Sequence, residues 1–212
     1  METESSQHMQ PTLTLPTVSE LLRQSWEIFK QRWAIAIAII FTPVVLNNLL
    51  GAVSGSVSSS ILNLVIFVIS IFIYGSSMAL ILRLVRGQTI SWNDARATTT
   101  IWLNYFLGYI AVLFAIFVGI VFFILPGIYL ATRLIFTLPI IADTNLGVME
   151  AIKKSWEMTE GKWWGLFWLY FGTGALLVLA TLVTLFIGLI ITLPLMTISG
   201  MLLYNRMKSA TV

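Results

Sequence analysis

The sequence predicts an all-α fold: a polytopic membrane helix bundle of about six transmembrane helices, with interfacial amphipathic helices before successive hairpins. Three observations predict it. Hydrophobic residues make up 58% of the 212 and charged residues 10%, with a mean hydropathy of +0.93, whereas a soluble domain carries roughly 25% charge. The apolar residues come in runs long enough to cross a bilayer, which takes about 20 residues per helix. And the segment before the first run, Val18-Ser19-Glu20-Leu21-Leu22-Arg23-Gln24-Ser25-Trp26-Glu27, recurs before the fifth as Val148-Met149-Glu150-Ala151-Ile152-Lys153-Lys154-Ser155-Trp156-Glu157.

The N-terminal tail, 1–16, is rich in Ser, Thr, Gln and Glu and holds the only histidine, His8. It lacks the basic and apolar regions of a signal peptide and is expected to be a disordered cytoplasmic tail. Residues 17–212 are then a single integral membrane domain. The absence of cysteine excludes disulfides, thiol catalysis and thiolate metal sites.

The first helix starts at a capping-box pattern, Thr17 and Glu20. Val18, Leu22, Trp26, Phe29 and Trp33 follow helical spacing and are expected to share one face, as are Val148, Ile152, Trp156, Thr159 and Trp163 in the second copy. The opposite faces carry Glu20, Arg23, Glu27 and Lys30, or Glu150, Lys153, Lys154, Glu157 and Glu160. Such a helix is expected in the headgroup plane. Trp26, Trp33, Trp102, Trp156 and Trp163 are candidate interfacial anchors. The polar faces are either plain structural anchoring or a surface for lipid headgroups or a docking partner.

The expected spans are 33–53, 61–82, 103–124, 127–142, 164–185 and 187–205. A weaker third copy, Gly87 to Arg96, leads to Trp102, which suggests repeat units of about 17–86, 87–143 and 144–208. Each unit starts and ends on one side, so the repeats are parallel, unlike the inverted repeats of many transporters. Arg23, Lys30, Arg32, Arg83, Arg86, Arg96, Lys153, Lys154, Lys162, Arg206 and Lys208 fall on one side of the spans, and the opposite loops carry no charge. The positive-inside rule makes both termini cytoplasmic in a multi-pass protein of the cytoplasmic (inner) membrane. The net charge of +3 then needs no nucleic acid to explain it.

The remaining basic residue, Arg133, lies within the fourth span. Pro126-Gly127 before it is read as a tight outer turn. An arginine at mid-bilayer costs at least about 2.5–3.5 kcal/mol, so it needs a reason. Three are open: snorkelling to the outer headgroups, binding buried carbonyls or the amides of Asn47, Asn48, Asn63 or Asn104, or holding an anion such as a lipid phosphate. Small residues (Gly75 with Ala79, Gly161 with Gly165) allow close helix approach, and Pro43, Pro139 and Pro194 are expected to kink or end helices.

The stretch Leu125-Pro126-Gly127-Ile128-Tyr129-Leu130-Ala131-Thr132-Arg133, continuing through Pro139 to Ala151-Ile152-Lys153-Lys154-Ser155-Trp156-Glu157-Met158-Thr159-Glu160-Gly161-Lys162-Trp163-Trp164, resembles the membrane domain of glycerophosphoryl diester phosphodiesterases and related six-helix bacterial integral membrane proteins. The resemblance implies a cytoplasmic-membrane protein whose family keeps its phosphodiesterase chemistry in a separate soluble barrel. The acidic residues here (Glu20, Glu27, Asp94, Asp143, Glu150, Glu157 and Glu160) are expected at the cytoplasmic rim beside basic neighbours, as a solvated face. No catalytic residue, metal site or cofactor is expected. The expected partners are membrane lipids, with another membrane or cytoplasmic protein as a second candidate. Two functions remain: a non-catalytic membrane module associated with lipid or a docking partner, and a transporter or permease-like component with Arg133 in a polar cavity.

Overall fold

The computed structural model describes residues 15–55, 60–90, 101–184 and 188–211. They form nine helices: α1 Val18–Gln31, α2 Trp33–Gly55, α3 Ser60–Val85, α4 Trp102–Phe122, α5 Ile124–Arg133, α6 Thr137–Thr144, α7 Val148–Thr159, α8 Trp163–Val183 and α9 Leu189–Ser209. No strand occurs among the described residues. Among the described residues six stretches are long and apolar enough to cross a bilayer: Trp33–Ala52, Ile61–Val85, Trp102–Phe122, Ile124–Thr144, Trp163–Val183 and Leu189–Ser209. The protein is a polytopic helical membrane bundle. Helices suit lipid because each satisfies its own backbone hydrogen bonds. The core runs through Ile81, Phe136, Ile140, Leu166, Ile198 and Tyr204, while Ile61, Phe123, Leu125 and Val183 point outward as surface that acyl chains would cover.

The fourth span is two helices. α5 ends at Arg133, a turn occupies 134–136, and α6 begins at Thr137. Pro139 lies in the first turn of α6, where its missing N–H costs least. The hairpin between α4 and α5 corrects one expectation. Pro126 and Gly127 are inside α5, and the chain reverses at Phe123, an extended residue at φ −168° and ψ 149°. Pro126 is tolerated because it stands in the first helical turn. Gly127 is needed for proximity: a Cβ on Gly119 would come within 2.9 Å of the Gly127 Cα, so the two helix backbones are nearly in contact.

The two copies of the repeated helix, α1 and α7, bury the same positions. These are Leu21, Ser25 and Phe29 in α1 and Ala151, Ser155 and Thr159 in α7. The expected apolar face was Val18, Leu22, Trp26, Phe29 and Trp33, but Trp26 is 39% and Trp33 58% exposed. The stripe that meets the bundle is rotated by one position, because an interfacial helix has two apolar neighbours, the bundle and the lipid. Trp26 stacks on Phe29 at 5.7 Å and stays on the outer flank. The Thr17 hydroxyl accepts the Glu20 N–H at 3.3 Å as the capping pattern required. Glu20 then turns to Arg206 at 3.0 Å. Most of the third copy, 91–96, most of the tail, 1–14, and parts of the neutral loops, 56–59 and 185–187, lie outside the described residues.

Candidate functional site

Two charged residues stand on the broken fourth span, Arg133 at its middle and Asp143 next to its last residue. Asp143, near the end of α6, was expected on a solvated rim; its side chain is instead only 7% exposed. Arg86, just past α3, grips it with both terminal nitrogens, Nη1 to Oδ1 at 2.5 Å and Nη2 to Oδ2 at 2.8 Å. The Tyr204 hydroxyl donates to Oδ2 at 3.0 Å and Lys208 Nζ to the same oxygen at 2.5 Å. Arg86 Nε donates in turn to Asn205 Oδ1 at 3.1 Å. The hydrogen bond to Asp143 holds the Arg86 guanidinium above its ordinary pKa. The carboxylate therefore ties together α6, the end of α3 and α9, with both of its oxygens hydrogen-bonded to cations.

Arg133, the last residue of α5, is 5% exposed. Its guanidinium carbon lies 4.2 Å from the centroid of the Trp156 ring and 5.8 Å from that of Tyr129. Its Nε is buried with no hydrogen-bond partner among the described residues. The backbone of the same residue is well served: its carbonyl, freed by the turn at 134–136, accepts the Ser155 hydroxyl at 2.8 Å and the Thr159 hydroxyl at 3.4 Å. Both come from α7, so the repeated helix closes the break in the span and sets Trp156 against the arginine.

The chemistry next to Arg133 is aromatic and then aliphatic. Tyr129 meets Trp156 and Trp163 edge-on at 5.9 and 5.4 Å. On the far side of Tyr129 a groove of about 590 Å³ runs between α5 and the start of α8, lined by Leu125, Pro126, Ile128, Tyr129, Trp163, Trp164 and Phe167. A buried cation thus stands one ring away from a hydrocarbon groove.

The alternatives read from the sequence separate here. Arg133 is 5% exposed and its guanidinium lies against the face of Trp156. None of the four asparagines reaches it: Asn47 accepts from Ser70 at 2.8 Å, Asn48 donates to the Val44 carbonyl, Asn104 donates to the Asn145 side chain at 3.1 Å, and Asn63 faces a different cleft. That cleft, about 800 Å³, lies between α2, α3, α4 and α9, and neither Arg133 nor Thr137 lines it. Trp102, at the start of α4, is 45% exposed and Trp163 is half-buried. Ser25, Ser155, Asp143 and Tyr204 were missed as organising residues. The signal available was the serine repeated at one register of two helices.

A family model, membrane domain of glycerophosphoryl diester phosphodiesterase, matches residues 104–209, half of the chain. The chain belongs to this family. No curated protein and no solved structure matches it. Within this glycerophosphoryl diester phosphodiesterase membrane domain, the matched stretch includes the Arg133 site, Asp143 with Tyr204 and Lys208 but not Arg86, and the second copy of the repeated helix. The family is named for a membrane domain, and the match shows no catalytic activity.

Proposed function

We propose that this protein is a non-catalytic module of the cytoplasmic membrane that holds an anionic lipid, with the phosphate at Arg133 and an acyl chain in the adjoining groove. The observation that carries this reading is the buried, unpartnered Nε of Arg133. A desolvated cation–π contact is worth about 2 kcal/mol. An arginine inside the membrane costs about 2.5–3.5 kcal/mol or more, and an unsatisfied buried donor adds about 1–3 kcal/mol. Trp156 alone does not offset these costs, and no carboxylate is at hand. A phosphate would supply the acceptor, and the groove beyond Tyr129 gives its acyl chain a matching wall. The basic residues at one end of the spans support an orientation with both termini in the cytoplasm. There the exposed sides of α1 and α7 offer charged faces to a docking partner. A permease-like role draws less support, because Arg133 lies away from the polar cleft.

The test is native mass spectrometry of the protein released from native-lipid nanodiscs, wild type beside Arg133→Gln. A retained phospholipid in the wild type, reduced at least about tenfold in the variant, is the expected result. Equal lipid patterns would overturn the reading and make Arg133 structural.

A further inference from the structure

The cleft between α2, α3, α4 and α9 has its own chemistry. Its volume, about 800 Å³, falls within the roughly 300–1,000 Å³ of small-molecule sites. Asn47, Asn63, Ser70, Ser77 and Thr197 supply hydrogen-bonding groups, and no charged side chain stands among its lining residues. The rest of the wall is hydrocarbon and aromatic, with Pro43, Phe67 and Ile71 among its members. Asn47 uses its carbonyl oxygen on the Ser70 hydroxyl at 2.8 Å, leaving the amide N–H groups for another acceptor. The Asn63 side chain makes no hydrogen bond among the described residues. Both residues are exposed on spanning segments, Asn63 near the start of its own, so their amides are open to a ligand arriving from the bilayer, where acceptors are scarce.

We infer that this cleft binds an uncharged lipid alcohol, its hydroxyl held by Asn47 and Asn63 and its hydrocarbon body against the apolar wall. The absence of a cation in the lining disfavours an anionic headgroup, and the absence of a carboxylate disfavours a cationic one. A hydroxyl both donates and accepts, which matches a free amide beside serine and threonine hydroxyls. Helices of the bundle form the walls, so the ligand reaches the cleft from the bilayer. Diacylglycerol and long isoprenoid alcohols share this chemistry. The inference is independent of the Arg133 site, which faces α7 and the start of α8.

The experiment uses the full chain in phosphatidylcholine nanodiscs, doped in turn with dioleoylglycerol, a polyprenol or dioleoylphosphatidylglycerol, and read by native mass spectrometry. The expected result is an adduct with one of the two alcohols. It should fall about tenfold in Asn63→Leu, the loss of one buried hydrogen bond, and at least as far in Ser77→Phe, which fills the cleft. The Asn63 side chain is exposed and makes no hydrogen bond among the described residues, so Asn63→Leu is expected to leave the fold intact. Whichever alcohol is retained names the source. Phosphatidylglycerol should be unaffected by these variants and lost in Arg133→Gln. Equal alcohol adducts in wild type and both variants, or no alcohol adduct at all, overturn the inference and leave the cleft to water or to bulk lipid. Loss of the phosphatidylglycerol effect alone would overturn only the Arg133 reading.

Discussion

Asp143 and Arg133 belong to the same broken span, yet the protein treats their charges in opposite ways. Asp143 receives Arg86, Lys208 and Tyr204 from two other parts of the chain. Arg133 receives two aromatic faces and no acceptor for Nε. Burial alone does not separate them, since both side chains are almost enclosed. Their partners do. A charge with all its hydrogen bonds made inside the protein holds helices together, and a charge with none is available to something outside it. The first is read as architecture and the second as a site.

The contrast makes graded predictions. The largest effect belongs to Asp143→Ala, which leaves Arg86 and Lys208 facing each other without their anion. Removing one partner of a buried ion pair typically costs about 3–5 kcal/mol, so thermal unfolding in detergent should shift down by many degrees; an unchanged Tm would break the contrast from the architectural side. Next comes Ser155→Ala, which strips the better of two donors from the Arg133 carbonyl and should cost about 1–3 kcal/mol. Ser25→Ala, the matching change in α1, should cost less, about 1 kcal/mol. Its partner Ser199 is a hydroxyl that can turn to another acceptor, not an orphaned carbonyl. Equal losses in the two serine variants would mean that the break in the fourth span places no special demand on α7. The smallest loss of stability is expected for Arg133→Gln, which should be neutral or stabilising, because relief of an unpaired buried charge outweighs the lost cation–π contact. A loss as large as that of Asp143→Ala would make Arg133 a second strut.

The spans were legible in the sequence because length and hydropathy decide them, and the helices run within a few residues of the expected limits. Which face of α1 meets the bundle was not legible. Hydropathy cannot tell a bundle from lipid, and the deciding residue was a serine, Ser25, whose hydroxyl finds Ser199 at 2.7 Å. The break at 134–136 falls in Leu-Ile-Phe, apolar residues with no turn signal. Pro139 was its only herald: it cannot donate to the carbonyl four residues back, which lies in the break. The reversal at Phe123 was displaced onto Pro126-Gly127 because those residues favour turns, whereas here glycine serves close packing. Arg133 stood out as a lone charge. Asp143 did not, because its partners lie 57 to 65 residues away in sequence.

The same separations order the events of biogenesis. Arg86 has left the ribosome long before Asp143, 57 residues later, follows it. The first of the two cations is therefore synthesised before the carboxylate that it holds. Tyr204 and Lys208 emerge 61 and 65 residues after the carboxylate. Their arrival fastens the last helix onto a half-assembled pair, so the clasp at Asp143 acts as a final latch on the completed bundle.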